Sequence, residues 1–283
     1  MGTMRERAQQ LKEKRPGYGE ILDFYVKVRE SQAAAKVSSK VDMGRVPKER
    51  RDPGAREGLP LLRKEDFPVD IDASVALFHT LCAMGRTANP HMAAEVKKIE
   101  QALSENRLDL KKLITDGGSE QEVGHSAAGQ GLDGHVLAFL VLSSIRPSIE
   151  AGREQLDGEL DPETLRKGHC PVCGSLPSLN LLKGEGGKRY SLCSYCGFQW
   201  RIDRLSCPVC GSQEPDDLSY FFGEGEENCR IELCDKCHHY IKTVDLRNLE
   251  LSDPCLEDLG SLHLDILAAR KGYMGAVPNP WTT

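Results

Sequence analysis

The sequence predicts an α + small β fold: an N-terminal all-helical domain, two tandem rubredoxin-like or zinc-ribbon modules, and a C-terminal helix. Three observations carry this reading. Nine of the eleven cysteines fall between Cys170 and Cys237. The chain before them shows apolar residues at helical spacing, whereas the cysteine-rich stretch breaks into short runs punctuated by Gly and Cys. The six letters CPVCGS occur twice, starting at 170 and at 207. The expected boundaries are 1–166 for the helical domain, 167–205 and 206–248 for the two ribbons, and 249–283 for the terminal helix and tail. At 283 residues the chain has the length of two domains.

Along the helical part, Ile21, Phe24, Tyr25 and Val28 recur at helical spacing, as do Val75, Phe78, Leu81 and Cys82. Between them, residues 39–64 are charged and rich in Gly and Pro, which reads as an exposed loop. Asn89-Pro90 is a cap followed by Pro at the first helical position, leading into Met92, Val96, Ile99 and Leu103 on one stripe. Val136 to Ile145 reads as a buried helix ended by Pro147, and Asp161-Pro162 as the start of a short turn. Beyond 167 the runs Arg189–Leu192, Phe198–Ile202 and Tyr240–Val244 read as strands of small hairpins. Ser252-Asp253-Pro254 then caps a helix with Leu256, Leu259, Leu262 and Ile266 on one face.

The chemistry lies in four CxxC pairs: Cys170/Cys173, Cys193/Cys196, Cys207/Cys210 and Cys234/Cys237. Two intervening residues let a tight turn aim both sulfurs at one ion, and Gly174, Gly197 and Gly211 ease the backbone where its N–H groups face the thiolates. Two such turns joined by a hairpin make a tetrahedral S4 site, so four pairs make two sites. Pairing in chain order leaves loops of 19 and 23 residues and gives both units the same plan, each opened by CPVCGS. An interleaved pairing, first with third, is the alternative. S4 geometry suits iron as well as zinc, so two metal ions are expected and the spacing leaves iron and zinc both open. CDKCH at 234–238 is formally a c-type haem motif, but its cysteines are needed to complete the second S4 site. Cys82, Cys229 and Cys255 lack a CxxC partner and read as buried small residues or spare thiols. His169 and His238, beside ligand cysteines, are the candidates for contacts behind the metal.

Other classes find little support. Net charge is -6, and residues 166–248 balance 11 Lys and Arg against 11 Asp and Glu, so no phosphate-coating nucleic-acid partner is expected. The longest apolar run, 136–145, is too short for a membrane span, and the N-terminal residues lack the apolar core of a secretory signal. A cytoplasmic setting is expected, with cysteines serving metal rather than disulfides. Motifs for nucleotide binding or for a nucleophile elbow are absent, so no catalytic residue is assigned and no enzyme is expected.

Several segments resemble the formate dehydrogenase accessory proteins of the FdhE type: CPVCGSLP (170–177), RYSLCSYC (189–196), Trp200 and Arg204 leading into Cys207, CDKC (234–237) with Tyr240, Ile241 and Lys242 behind it, and DLGSLHLDILAARKGY followed by Asn279-Pro280. The likeness covers 167–283, with GLPLLRKEDFPVD (58–70) similar before it. His238-His239 departs from the small residue the family pattern has after the fourth knuckle. The resemblance implies a cytoplasmic maturation factor for respiratory formate dehydrogenase that contacts the enzyme's catalytic subunit before export, built from a helical domain and two iron-binding ribbons. On that view Arg189, Trp200, Arg204, Tyr240 and Lys242 are candidates for the client-facing surface, against a structural reading in which Trp200 and Tyr240 pack on the knuckles. The alternative function is rubredoxin-like electron transfer or redox sensing.

Overall fold

In the computed structural model the described residues are 3–44, 59–116, 120–163, 166–226, 228–249, 253–279 and 281. They form two compact units. One contains 24–44 and 62–157 and is helical; the other contains 3–23, 59–61 and the described residues from 158 on, and holds all the strands. The expected boundary at 166/167 therefore differs at the start of the chain, because the first 23 residues pack with the cysteine-bearing unit. Residues 45–58 of the expected 39–64 loop, and Ser252 of the expected cap, lie outside the described residues.

Helix α1 (Met4–Lys14) opens on a capping box, with the Thr3 side chain accepting from the Glu6 N–H and Glu6 reaching back to Thr3. Helix α2 runs Gly19–Ser38, followed by α3 (Ile71–Gly85), α4 (Pro90–Ser104), α5 (Leu110–Thr115), α6 (Glu120–Ala128) and α7 (Gly134–Glu154). Asp70, Asn89, Asp109 and Asp133 cap α3, α4, α5 and α7 by accepting backbone N–H groups. Leu77, Phe78 and Leu81 of α3, Val96 and Ile99 of α4, and Leu137, Leu140 and Ile145 of α7 form the buried core of the helical unit.

Pro147 does not end α7, contrary to the sequence expectation; the helix continues to Glu154 with Pro147 buried inside it. A proline there takes away the N–H that would bond to the carbonyl four residues back, that of Ser143. The buried Gln32 side chain supplies a substitute, its Nε2 donating to Ser143 O at 2.8 Å. A side chain from α2 thus satisfies the break that proline makes in α7.

In the other unit, β1 (Pro177–Lys183), β2 (Lys188–Cys193) and β3 (Gln199–Arg201) form one antiparallel ribbon. Strands β4 (Leu218–Phe222), β5 (Cys229–Cys234) and β6 (His239–Asp245) form a second. The GEGG segment makes the β1–β2 turn, with Gly184 and Gly187 at φ of 66° and 57°. The two ribbons are not separate beads, because β1 and β6 pair in parallel from Leu179↔Lys242 to Leu182↔Asp245 and make one sheet in the order β3-β2-β1-β6-β5-β4. A short β7 (Met274–Gly275) adds beside β6.

One face of this sheet buries Leu179, Leu181, Ile231 and Val244 under Leu264 and Ala268. Those last two lie on α9 (Leu262–Arg270), which follows α8 (Cys255–Leu259). The expected single terminal helix is thus two, and Ile266, expected on the buried face, is 53% exposed. The chain breaks at Gly260-Ser261: a Cβ on Gly260 would press on the Leu11 side chain, and Ser261 Oγ donates to Glu257 O at 2.6 Å. The same region holds α1 in place, through Arg7 to Glu257 at 2.6 Å and the stacking of Tyr18 on His263. These contacts, invisible as local patterns, are why the N-terminal residues belong to this unit.

Gln32→Leu is expected to cost about 1–3 kcal/mol by leaving the Ser143 carbonyl buried and unpaired. The cost should shrink in a Pro147→Ala background, where a backbone N–H can take over; chemical denaturation of the four proteins of this cycle reads the difference.

Candidate metal centres

Each CxxC pair occupies a tight turn with a common hydrogen-bond plan. The N–H of the fifth residue closes on the first cysteine: Gly174 to Cys170 O at 2.8 Å, Gly211 to Cys207 O at 2.9 Å, and His238 to Cys234 O at 2.9 Å. The N–H of the first cysteine in turn donates to the carbonyl of the sixth position, Cys170 to Ser175, Cys193 to Phe198 and Cys207 to Ser212. Closing the turn this way requires a left-handed residue, and Gly174, Gly197 and Gly211 have φ of 75°, 71° and 74°. His238 fills the same place in the fourth turn with φ 54°, which histidine tolerates better than most residues. Its carbonyl accepts from Met274 N–H at 2.9 Å, a main-chain bond that any residue there supplies and that ties β7 to this turn.

The turns meet in chain order, not interleaved. Cys170, Cys173, Cys193 and Cys196 form one cluster and Cys207, Cys210, Cys234 and Cys237 the other, the four sulfurs of each within 4.8 Å of one another. Sulfur separations are 3.7 Å for Cys170–Cys196 and 3.4 Å for Cys173–Cys193, and 3.7 Å for both Cys207–Cys237 and Cys210–Cys234. A tetrahedral ion with bonds of about 2.3 Å sets its sulfurs about 3.8 Å apart, so both clusters have the size of an S4 cage. Backbone N–H groups also face the sulfurs, from Cys196 to Cys193 at 3.4 Å, from Val209 and Cys210 to Cys207, and from His239 to Cys237. Those donors favour thiolate, the form a metal needs. The residues present therefore fit a metal ion in each cluster.

The two centres differ in exposure. All four cysteines of the first are buried, whereas in the second Cys210 is exposed and Cys237 half-buried. Cys82 and Cys229 join neither cluster; burial pushes their thiols up to about 12 and about 11, the mark of inert packing residues.

Of the residues assigned to a client-facing surface, three are corrected. Trp200 is fully buried and its indole N–H donates to Lys167 O at 2.7 Å, so it offers no surface to a client. Arg189 is buried and bridges strands: it meets Glu232 Oε2 of β5 at 2.6 Å and donates to Asp203 O at 2.9 Å and Ser206 O at 2.8 Å, the segment leading into Cys207. Burial would raise the Glu232 carboxyl, but Arg189 and Arg230 outweigh it and hold it below the usual carboxylate range. Lys242 is buried with Nζ at 2.7 Å from Asp258 and 2.6 Å from Asp265, tying the terminal helices to β6. Tyr240 is half-buried and its hydroxyl donates to Asp265 at 3.0 Å, leaving Arg204 as the exposed member of the five.

Sequence reasoning had no hold on Gly168 either. A Cβ there would overlap the backbone of Pro208, so the segment entering the first centre lies directly on the second centre's first turn.

Residues 169–204 match the sequence profile of the FdhE central domain and residues 205–281 that of the FdhE C-terminal domain. The chain is similar to the FdhE homologue of Aquifex aeolicus, 27% identical over 270 residues that cover 93% of this chain and 89% of the relative. The FdhE homologue of Shewanella oneidensis is 34% identical over 113 residues, covering 39% of this chain and 37% of the relative. The fold is shared with the crystal structure of the FdhE protein from Pseudomonas aeruginosa, with a TM-score of 0.70 at 24% identity over 98% of this chain and 93% of the other.

A chelator with a thiol-reactive dye should empty the second centre well before the first, because its Cys210 and Cys237 are open to reagent. Of the eight cluster thiols, four are expected to react in a fast phase and four in a slow one, with Cys82 and Cys229 reacting only on unfolding and half-buried Cys255, outside both clusters, reacting at a rate the chelator does not change; a single phase for all eight would contradict the difference in burial. Lys242→Met should cost about 3 kcal/mol, the low end for a broken buried pair, by leaving the half-buried carboxylates of Asp258 and Asp265 without their cation. Burial alone would lower the Lys242 pKa, yet the two aspartates hold it above the usual 10.5. Its contribution is therefore whole below pH 10.5 and lost as pH rises beyond that, so the variant's deficit should narrow on the alkaline side in denaturation measured as a function of pH.

Proposed function

Taking as premise that the chain belongs to the FdhE family, we propose that it is an accessory protein for the maturation of respiratory formate dehydrogenase, binding the catalytic subunit in the cytoplasm. The observation that carries this reading is the pair of four-cysteine clusters joined through one sheet, in a chain whose 169–281 segment matches both FdhE domains. Such a construction suits binding rather than turnover. The ribbons have little apolar core of their own, and a bound ion supplies folding energy to each hairpin. The result is a rigid surface for a client, with Arg204 as its exposed basic group from the family pattern.

Two metal ions per chain belong to this reading, iron in both, held by Cys170, Cys173, Cys193 and Cys196 and by Cys207, Cys210, Cys234 and Cys237. The ion's part is to fix the turns. The chain's part is to supply thiolates, turn N–H groups and the buried charge pairs that hold the turns against one another. No helix among the described residues is long and apolar enough to cross a membrane.

A second reading, electron transfer or redox sensing, draws on the exposure of Cys210, which opens one centre to solvent. It predicts a reversible one-electron change at that centre.

The test is complementation in a formate-respiring host lacking its own copy. The wild-type chain should restore formate dehydrogenase activity and co-purify with the catalytic subunit. Cys170→Ser and Cys207→Ser should each lose about one ion per chain and reduce both readouts, since a thiolate is the ligand and a hydroxyl does not replace it. Full activity and co-purification from a metal-free quadruple variant would overturn the role given to the ribbons.

A further inference from the structure

A cleft of about 130 Å³ lies at the end of the first ribbon, between the β1–β2 turn and the 201–204 segment that leads to the second centre. Its wall carries Arg166, Lys188, Arg189, Arg201 and Arg204 against a single carboxylate, Asp203. The charges there are unevenly matched. Arg189 is committed to Glu232 at 2.6 Å, Arg166 faces Asp203 at 3.6 Å, and Lys188 and Arg201 share Glu163 at 3.5 and 3.3 Å. Arg204 is exposed and has no hydrogen-bond or ion-pair partner among the described residues.

We propose that this cleft is an anion site for a phosphate group, with Arg204 as its principal ligand and Lys188 and Arg201 closing on the same group. Four features combine to support it. The cleft is concave and small, sized for a single phosphate rather than a nucleoside. Its guanidinium groups present planar forks, which match phosphate oxygens two at a time. The contacts from Lys188 and Arg201 to Glu163 are longer than close charge-assisted hydrogen bonds, so both cations keep donors for a second anion. The Gly186-Gly187 turn forms the opposite lip with no side chain to fill the space.

Placement gives the site a consequence for the chain. Arg204 stands three residues before Cys207, and the carbonyls of Asp203 and Ser206 are already held by Arg189. A phosphate bridging Arg204 to Lys188 and Arg201 would fasten the segment that joins the two ribbons to the strands of the first. Arg204 is also the exposed basic group of the surface given to the client, so the two readings share a residue, but phosphate binding by the chain alone tests this site without the client.

Calorimetric titration of the full, metal-loaded chain with inorganic phosphate, with glycerol 3-phosphate and with sulfate tests it. Phosphate binding at low salt that weakens as salt rises is expected, and Arg204→Gln should lower affinity about tenfold or more, the worth of one charge-assisted hydrogen bond. Lys188→Gln should act in the same direction, and both residues are exposed, so the variants are expected to keep the wild-type metal content. Tighter binding of the phosphomonoester would identify the source as a phosphorylated molecule, and tighter binding of the inorganic ion would identify free phosphate. No saturable heat with wild type, or equal affinity in wild type and Arg204→Gln, would overturn the proposal; heat that comes from stripped metal falls in the second case.

Discussion

The parallel seam between β1 and β6 is the constraint on which the cysteine-bearing unit depends. Each ribbon alone is a three-stranded antiparallel sheet closed by two turns, too small to bury much apolar surface. The seam makes them one sheet, wide enough for α8 and α9 to cover with Leu256, Leu264 and Ala268. It also fixes where the two clusters stand, since each cluster's turns sit at the strand ends that the seam orders. Register along it places Lys242 opposite Leu179 and Thr243 opposite Asn180. The two buried polar layers therefore lie on opposite faces of the same sheet.

Those layers explain why the unit tolerates buried charge. On one face, Arg189, Arg230, Glu232 and Asn180 form a linked set in which Glu232 receives from both arginines and from Asn180 Nδ2 at 3.3 Å. On the other, Lys242 is shared by Asp258 and Asp265, with Tyr240 completing the second carboxylate. Buried ion pairs add little net stability over well-packed apolar residues, but they penalise any register that leaves one partner alone. In a sheet made of two similar ribbons, that penalty selects one pairing: a slip of one residue along the seam would carry Lys242 to the wrong face. The cost of the charges thus secures the specificity that the duplicated CPVCGS sequence would otherwise blur.

Much of the candidate site was legible because cysteine spacing is a local signal. A two-residue gap within each pair and a repeated six-residue opening were enough to single out eight cysteines and to prefer chain-order pairing, and glycine after the second cysteine marked the left-handed position in three turns of four. The helices were legible from period and caps, as at Asn89-Pro90. What failed had no local trace. Pro147 reads as a stop until Gln32, more than a hundred residues away, is seen to satisfy Ser143. Arg189 and Lys242 read as surface cations because their carboxylate partners, Glu232, Asp258 and Asp265, lie distant in sequence. Residues 1–23 read as part of the helical domain because a helix does not announce which unit its apolar stripe will meet. Strand β1, PSLNLLK, lacks the alternation of a half-exposed strand because the sheet buries both its faces, Asn180 on one and Leu179 and Leu181 on the other.

The account rests on the two clusters each holding one ion that its ribbon needs in order to fold. The direct measurement is metal content per chain on protein purified without oxygen, taken together with the visible spectrum, for the wild type and for Cys173→Ser and Cys234→Ser. The account predicts about two ions per chain in the wild type, with thiolate-to-iron absorption, and about one in each single variant, the surviving ion belonging to the untouched cluster. A folded wild-type chain with no bound metal, or variants that keep both ions, would contradict it.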